Sequence, residues 1–489
     1  MSTPRLRAAI GRIAVGVIAA AGVACATAPP YQTPTTTPLP AFKETPSPDS
    51  RLASEWKTAE PQDNRLRPNW WEMFSDPTLN ALEEKVATAN QTVAQADATF
   101  RAARAALRAA GADLYPTVTV SGTPSVSRES VNRAGLGGGS LGTVADYLAE
   151  SDVSYEPDFW GRVHGAVVSG AATAQASAAD LQNTRLSLQA ELAEDYVQLR
   201  GTDEQIRLLR VAIASYARFL QLTINKHDQG VVSGADVATA RTQLESTRVE
   251  ATDLGISRAQ LEHAIAVLTG QPPASLSLDV SALTLSPPVI PLAVPSVLLE
   301  RRPDISGAER RVASANAQIG IAHAAFFPTL TLTATGGFES ESLATLLDWP
   351  SRVWTLGAAL AETVFDAGKR KAQTEEAVAT YDGTVATYRQ TVLSAMQDVE
   401  DNLVTLKILA DETDQQAAAL TAAEESLAIA NNQYLGGITD YLAVITAQNV
   451  ALTNERTSAD LLTRRLTASV LLIKALGGGW STRDLPQVR

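Results

Sequence analysis

The sequence predicts a mainly α fold built from two tandem repeats, each of which combines two β-strands with two long helices. Three observations support this prediction. Landmarks of the chain recur at a constant spacing, two very long segments show seven-residue periodicity, and short alternating segments precede both of them.

The spacing of the repeat is 207 residues. Three glycine pairs are separated by this distance, namely Gly161 and Gly368, Gly230 and Gly437, and Gly270 and Gly477. A constant offset over such a length indicates a duplicated structural unit. Pro116 and Pro328 are 212 residues apart, so the first unit holds five additional residues, which we assign to a glycine-rich loop at Asn132–Gly142.

The long periodic segments run from about Gly161 to Asn225 and from about Gly368 to Asn432. Helices of this size span roughly 100 Å at 1.5 Å per residue. The seven-residue positions are Leu192, Leu199, Ile206, Ile213 and Leu220 in the first helix, and Val385, Val392, Val399, Leu406, Thr413, Leu420 and Leu427 in the second. Such a repeat predicts coiled-coil contact with partner helices.

Alternating segments are the candidate strands. They are about Leu114–Ser127, Tyr147–Glu156, Phe327–Glu339 and Val353–Glu362. Val118, Val120, Leu330 and Leu332 fall on one face, opposite Thr117, Thr119, Thr329 and Thr331, a pattern typical of membrane barrel strands. Because four strands cannot close a barrel around a lumen and open sheet edges are not tolerated in lipid, we expect the chain to oligomerise.

The N-terminus has the features of a bacterial secretion signal, with basic residues before the apolar stretch Ile13–Ala21. Cys25, the only cysteine, follows this stretch directly, and its position predicts acylation. The alternative is ordinary signal cleavage after Ala26 or Ala28. A proline-rich segment without periodicity follows, and we expect it to be an extended tether.

Four motifs occur in a fixed order along the chain: Trp70–Leu79, Tyr155–Arg162, Leu298–Leu332 and Phe365–Lys369. The third contains an Arg-Arg-Pro-Asp corner, in which Pro303 suits a first helical turn and Asp304 places a carboxylate near the positive helix end. Over about residues 68–478 these motifs resemble the TolC-like outer-membrane factors, the exit ducts of bacterial tripartite efflux pumps, and most closely their lipoprotein branch.

The resemblance implies a tandem-repeat TolC-like fold, in which a trimeric twelve-stranded outer-membrane β-barrel continues into a long periplasmic α-helical coiled-coil barrel. It implies a homotrimer that works with a periplasmic adaptor (membrane fusion) protein, an RND-type inner-membrane pump and outer-membrane lipid. The expected function is passive export of small molecules or drugs. A type I protein-secretion channel and a lipid-tethered structural periplasmic coiled coil are the alternatives.

The expected organisation follows from these features. It comprises a signal peptide at 1–24, a lipid-anchored tether at 25–69, a first repeat at 70–270, a proline-rich linker at 271–297, a second repeat at 298–478 and a tail at 479–489.

The sequence shows no catalytic or metal-binding constellation. His164, His227, His263 and His323 lack metal-ligand spacing, and the glycine-rich loop lacks the lysine of a phosphate-binding loop. The net charge of −13 disfavours nucleic acid as a partner. We therefore expect neither enzymatic activity nor a cofactor.

The candidate functional residues lie in the two turns that follow the long helices. A glycine ends each helix, and Ser233 or Asp440 can cap the next one. The resemblance implies that these turns form the periplasmic tip, which closes the pore and contacts the adaptor. The candidates are Asn225, Lys226, Asp228, Gly230, Ser233, Asp236, Asn432, Tyr434, Gly437, Thr439 and Asp440.

Asp236 carries a separate hypothesis. Some proteins of the resembled family place paired aspartates just beyond the second tip, where this chain has Ala443 and Thr446. In the first repeat, the position equivalent to Ala443 is Asp236. We therefore predict that three copies of Asp236, one from each chain of a trimer, form a ring of carboxylates at the gate. The alternative is that Asp236 only stabilises the first turn of its own helix through the helix dipole.

Overall fold

A computed structural model describes residues 29–36, 41–44, 56–58, 69–128, 142–292 and 301–486. Over these residues the chain is mainly helical, with a small sheet, as the sequence predicts. The strands are β1 (Trp56–Thr58), β2 (Thr117–Ser127), β3 (Val144–Tyr155), β4 (Ile290–Leu292), β5 (Thr329–Ser340) and β6 (Arg352–Ala361). The α-helices are α1 (Pro77–Ala89), α2 (Gln91–Ala112), α3 (Arg162–Asp228), α4 (Gly234–Leu268), α5 (Pro303–Ala324), α6 (Lys369–Leu435) and α7 (Tyr441–Ala475).

The long helices of the two repeats have identical lengths. α3 and α6 contain 67 residues each, and α4 and α7 contain 35 each. The ends of α3 and α4 lie 207 residues before the ends of α6 and α7, which confirms the predicted duplication. Residues 341–351 connect β5 to β6, whereas the glycine-rich loop predicted at Asn132–Gly142 lies, apart from Gly142, outside the described residues.

The strands β2, β3, β5 and β6 form one antiparallel sheet in that order. Paired residues point to the same side of a sheet. Leu332 is paired with Tyr155 and Ala358, and Val118 with Val153, so the predicted apolar residues share one face, the apolar face. The opposite polar face carries threonines and serines, together with Asp146, Glu150, Asp152 and Glu339.

The main hydrophobic core lies midway along the helices, where a 3-10 helix at Trp70–Phe74 inserts three buried aromatic rings. α1 begins there because Asp76 accepts hydrogen bonds from the backbone N–H groups of Thr78 and Leu79. The Asp76 carboxylate also accepts a 2.8 Å bond from the Tyr196 hydroxyl on α3. Of the predicted seven-residue positions, Leu192, Leu199, Ile206, Val392, Val399 and Leu406 are buried.

The Arg-Arg-Pro-Asp corner connects the beginning of the second repeat to the end of that repeat. Arg302 donates to Asp304 at 2.7 Å, to Asp398 on α6 at 3.1 Å and to the Ala475 carbonyl at the end of α7 at 3.2 Å. Burial lowers the pKa of Arg302, but its carboxylate partners more than compensate, and the net pKa is raised. The guanidinium therefore remains charged and fixes three elements at one point.

A buried ionic cluster fixes the segment between the repeats. Asp203 on α3 is buried and accepts from Arg200 at 3.0 Å and from Arg258 on α4 at 2.7 Å. The same two arginines donate to the backbone carbonyls of Asp279 and Leu278. Each buried charge thus has a partner of opposite sign, which such burial requires.

The described part of the tether lies along the second repeat. The Pro29 carbonyl accepts from Asn316 on α5 at 2.9 Å, and the Tyr31 hydroxyl donates to Glu309. Further on, the backbone N–H groups of Lys43 and Glu44 both donate to the Glu400 carboxylate. A parallel pairing of β1 with β4 then links tether and linker, and nothing in the sequence pattern predicts it. The signal peptide, Cys25, much of the tether and the last linker residues lie outside the described residues.

Among the described residues, no helix is both long enough and apolar enough to cross a membrane.

Candidate functional site: the helical tips

The tip of the first repeat is a five-residue turn between α3 and α4. Gly230 has a φ of +73°, and the Val231 N–H donates to the Lys226 carbonyl at 2.9 Å, which ends α3 in a left-handed cap. Ser233 then begins α4 with a capping box, because its hydroxyl accepts from the Asp236 N–H and the Asp236 carboxylate accepts from the Ser233 N–H at 2.9 Å.

The tip of the second repeat has the same backbone with different caps. Gly437 has a φ of +72°, and the Ile438 N–H donates to the Gln433 carbonyl at 2.9 Å. Asp440 begins α7 and accepts from the Ala443 N–H at 3.1 Å. The predicted capping roles of Ser233 and Asp440 are confirmed.

Both long helices extend three residues beyond their predicted ends. Asn225, Lys226 and Asp228 therefore belong to the last turn of α3, and the tip turn proper is residues 229–233. Asn432 and Tyr434 likewise belong to α6. The prediction that these five residues lie in turns is wrong, because the left-handed glycine, rather than the preceding asparagine, sets the helix end.

The candidate residues differ in their surroundings. Asn225 accepts from the Gln221 side chain at 3.0 Å, and Asp228 and Asn432 are exposed. Thr439 is half-buried. Tyr434 stands apart, since only 2% of it is exposed.

Tyr434 belongs to a cluster that joins the two tips, which we call the aromatic clasp: Phe219, Lys226, Tyr434 and Tyr441. The ring centroids of Tyr434 and Tyr441 are 5.8 Å apart, and Phe219 of the first repeat lies 6.4 Å from Tyr434 and 6.2 Å from Tyr441. The Lys226 ammonium lies 3.8 Å from the centre of the Tyr434 ring, within the range of a cation–π interaction. The clasp therefore holds the tip of one repeat against the tip of the other.

Tyr441 of the clasp remains neutral at physiological pH. Burial, with smaller contributions from Tyr434 and Tyr216, raises the pKa of Tyr441 to about 12. Among the described residues, neither the Tyr434 nor the Tyr441 hydroxyl has a hydrogen-bond partner. Packing, rather than hydrogen bonding through these hydroxyls, therefore stabilises the clasp.

A polar layer lies next to the clasp and joins the same helices. The Asn449 side-chain oxygen on α7 accepts from the Tyr216 hydroxyl at 3.0 Å and from the Gln243 amide at 2.9 Å, and Asn449 donates back to Gln243 at 3.2 Å. Burial raises the pKa of Tyr216 to about 12. This layer fixes the axial position of α7, since Asn449 is bonded to α3 through Tyr216 and to α4 through Gln243.

Sequence reasoning missed Phe219, Tyr441 and the Tyr216–Gln243–Asn449 layer. The repeat itself contains a usable signal. The counterparts of Tyr434 and Tyr441 in the first repeat are His227 and Gly234, so only the second tip carries these two tyrosines. The gate ring predicted from Asp236 stays a prediction, since in one chain the Asp236 carboxylate is engaged in the capping box.

The four histidines all lie exposed on helices, and the described residues hold no group of three or more metal-ligand side chains. No chemical step is suggested by the tips. What their geometry provides is a contact between two hairpins, surrounded by exposed apolar side chains at Val231, Leu435, Ile438 and Leu442.

A sheet with one apolar face, joined to helices of roughly 100 Å whose hairpins meet at a clasped tip, defines the class of outer-membrane channels with a long helical body. The outer membrane efflux protein family model matches residues 82–271 and 294–478, and the chain belongs to this family. Its fold is TolC-like, and it is located in the outer membrane.

Two relatives from Pseudomonas putida match along most of the chain. The toluene efflux pump outer membrane protein TtgC is 31% identical over 93% of this chain and 93% of its own length. The antibiotic efflux pump outer membrane protein ArpC is 30% identical over 89% of this chain and 91% of its own. The structure of the outer-membrane channel OprN superposes with a TM-score of 0.85 at 29% identity, covering 93% of this chain and all of that one.

Proposed function

We propose that the chain forms, as a homotrimer, the outer-membrane exit channel of a tripartite efflux pump, together with a periplasmic adaptor and an RND-type inner-membrane pump. The similarity to efflux pump outer membrane proteins along nearly the whole chain carries this proposal. Transport through the channel is passive, and the pump supplies the energy.

The edges of the sheet support the trimer. In the part of the chain that the structure describes, β2 and β6 each pair on one side only. Backbone groups left open at a sheet edge are costly in lipid, so β6 of one copy must pair with β2 of the next. Three copies contribute twelve strands, enough to enclose a lumen. The apolar face then contacts lipid and the polar face lines the lumen.

The clasped tips support a closed gate with a docking surface. Opening requires the hairpins to separate, and the aromatic clasp opposes this within each chain. The exposed apolar side chains around it, such as Ile438 and Leu442, suit contact with the helical tip of an adaptor. The residues that we assign to the gate and adaptor contact are those predicted from the sequence, with Phe219 and Tyr441 added.

The path of the tether supports acylation of Cys25. Pro29 contacts Asn316, which lies about two turns before the end of α5 at Ala324, and the sheet begins soon after that end, at Thr329. Pro29 is four positions after Cys25, a separation that can span at most about 14 Å. An acyl chain on Cys25 would then meet the periplasmic surface of the membrane. Replacement of Cys25 by Ala should abolish palmitate labelling, and an unmodified N-terminus on the mature protein would contradict acylation.

The proposed cargo is small organic molecules. The relatives are named for the export of toluene, antibiotics and pyoverdine, all of which are small molecules. The chemistry of the pump that delivers the cargo sets the selectivity. Type I protein secretion is the remaining alternative within the same channel class.

Two measurements test the proposal. Purified protein should be trimeric by native mass spectrometry and should conduct ions in planar bilayers. In a strain that lacks its own outer-membrane efflux component but retains adaptor and pump, expression should restore tolerance to toluene or antibiotics, and a chain without residues 1–24 should not. A trimer that conducts but restores only the secretion of a protein would favour type I secretion. A chain that stays monomeric would contradict the proposal.

A further inference from the structure

The charges of the sheet are segregated between its two faces. The polar face carries four carboxylates and, among the described residues, no base. The described strand residues of the apolar face include no acid and a single base, Arg352, which begins β6 and is paired with Phe338. An exposed arginine on a face of this kind is expensive in hydrocarbon and suits the lipid headgroup region.

Arg352 lies at the end of the sheet that is farthest from the helices. Its guanidinium stacks over the Trp349 ring, 3.1 Å from the ring centre, and its Nε donates to the Trp349 carbonyl at 3.0 Å. Trp349 and Trp354 are each about three-quarters exposed, at 73% and 75%. Such amphipathic rings are typical of the membrane–water boundary. The acids of the same loop, Glu341 and Asp348, lie outside both strands.

A second arginine lies at the same end of the other edge strand. Arg128 directly follows β2, is exposed, and stands two positions after Val126, which lies on the apolar face. β2 and β6 are the two edges of the sheet. In the proposed trimer, β6 of one copy adjoins β2 of the next, so Arg352 and Arg128 meet at each junction on the lipid side of the outer rim.

We propose that this pair, flanked by Trp349 and Trp354, binds the phosphate groups of a lipid of the outer leaflet. Arginine forms charge-assisted, often bidentate, hydrogen bonds with phosphate, and stacking on Trp349 holds one of the two guanidinium groups in place. The acyl chains of the lipid would lie along the apolar face beneath, past Leu356 and Leu360, which are 72% and 71% exposed in the single chain. The site rests on the proposed trimer, since each half comes from a different copy.

Native mass spectrometry of detergent-purified trimers tests this site, with diphosphorylated lipid A as the probe and its dephosphorylated form as the comparison. Wild-type trimers should bind the phosphorylated lipid more tightly. Arg352→Gln and Arg128→Gln should each weaken that binding by about tenfold, the effect of losing a charge-assisted hydrogen bond, and should leave the dephosphorylated lipid unaffected.

Arg108→Gln is the matched control, because it removes the same charge from an exposed position on α2 in the helical part. It should bind lipid as the wild type does. Equal binding of both lipids, or unchanged binding in the Arg128→Gln/Arg352→Gln double variant, would overturn the site while trimer mass and conductance still upheld the channel. A chain that stays monomeric would overturn both.

Discussion

The two repeats have the same backbone but different tips. Their long helices match residue for residue in length, and both tips turn at a glycine with a φ of +72° to +73°. Yet the second tip carries Tyr434 and Tyr441 where the first has His227 and Gly234, and only the first has a full capping box. Duplication has thus retained helix length and phase, which every packing contact requires, while the side chains at the tips have diverged.

This difference gives the two hairpins unequal roles. The second repeat supplies the two rings that are buried, and the first supplies Lys226 and Phe219, which cover them. We therefore expect changes at equivalent positions of the two repeats to have unequal effects wherever the clasp is involved, and equal effects elsewhere.

The largest effect is expected at the clasp. Tyr434→Ala should destabilise the tip by about 3–5 kcal/mol because it empties a buried aromatic site. The equivalent change in the first repeat, His227→Ala, should cost less than about 1 kcal/mol, since that ring is exposed and forms one 3.0 Å contact with the Val232 carbonyl. Hydrogen exchange at the tips and single-channel conductance measure both effects.

Tyr434→Phe is the control for the clasp. It keeps the ring and removes a buried hydroxyl that has no partner among the described residues, so stability should be retained. Loss of the closed state in Tyr434→Phe, or similar conductance changes in Tyr434→Ala and His227→Ala, would show that the clasp does not hold the tips.

The next effect should be equal in the two repeats. Gly270 and Gly477 follow the ends of α4 and α7, with φ values of +71° and +92°. A Cβ added to Gly270 would lie 2.3 Å from the Ala89 carbonyl oxygen, and one added to Gly477 would lie 2.1 Å from the Arg301 carbonyl oxygen. Alanine at either position should cost about 2–5 kcal/mol, from left-handed strain plus the clash. Thermal unfolding of the purified protein measures this cost.

The tip glycines provide the comparison for that prediction. Gly230 and Gly437 have similar φ values, but no atom lies within 4 Å of an added Cβ, so alanine should cost only about 1–2 kcal/mol. Equal losses at the tips and at the helix ends would mean that backbone strain alone, without contact to Ala89 or Arg301, accounts for the role of these glycines.

The two faces of the sheet should respond differently to the same charge. Arg at Leu332, or at its first-repeat counterpart Val120, should cost about 2–4 kcal/mol if the position lies near the bilayer midplane. Arg at Thr331 should be tolerated and should alter conductance instead, because this residue lies on the polar face. Trimer yield from outer membranes measures the first effect, and similar losses at Leu332 and Thr331 would refute the assignment of the faces.

The smallest effect concerns Asp236. Asp236→Ala removes half of a capping box and should cost about 0.5–2 kcal/mol. If three copies also form the predicted ring at the gate, cation selectivity and block by multivalent cations in bilayers should fall as well. Asp440→Ala, which removes the cap of the second tip, should change stability but not selectivity. Unchanged cation selectivity in Asp236→Ala would contradict the carboxylate ring and would leave helix capping as the only role of Asp236.

Much of the fold could be predicted because its determinants are local and periodic. The seven-residue pattern and the alternation at Leu330 and Leu332 depend on residues close in sequence, and the constant offset of 207 residues shows that the same local patterns occur twice. The tip turns could be located for the same reason, but their bounds could not. Asparagine and glycine both suit helix ends, and only the backbone shows that α3 continues past Asn225.

The sequence by itself determined the repeat, the helix lengths to within a turn, the two faces of the sheet and the caps at Ser233 and Asp440. The tertiary structure alone decided which distant parts of the chain meet. Phe219 meets Tyr434, Tyr216 meets Asn449 and β1 meets β4, although each pair is separated by more than two hundred residues. The physical reason is that periodicity specifies which face of a helix is buried, whereas the axial alignment of one helix against another depends on how complementary side chains fit along the whole interface.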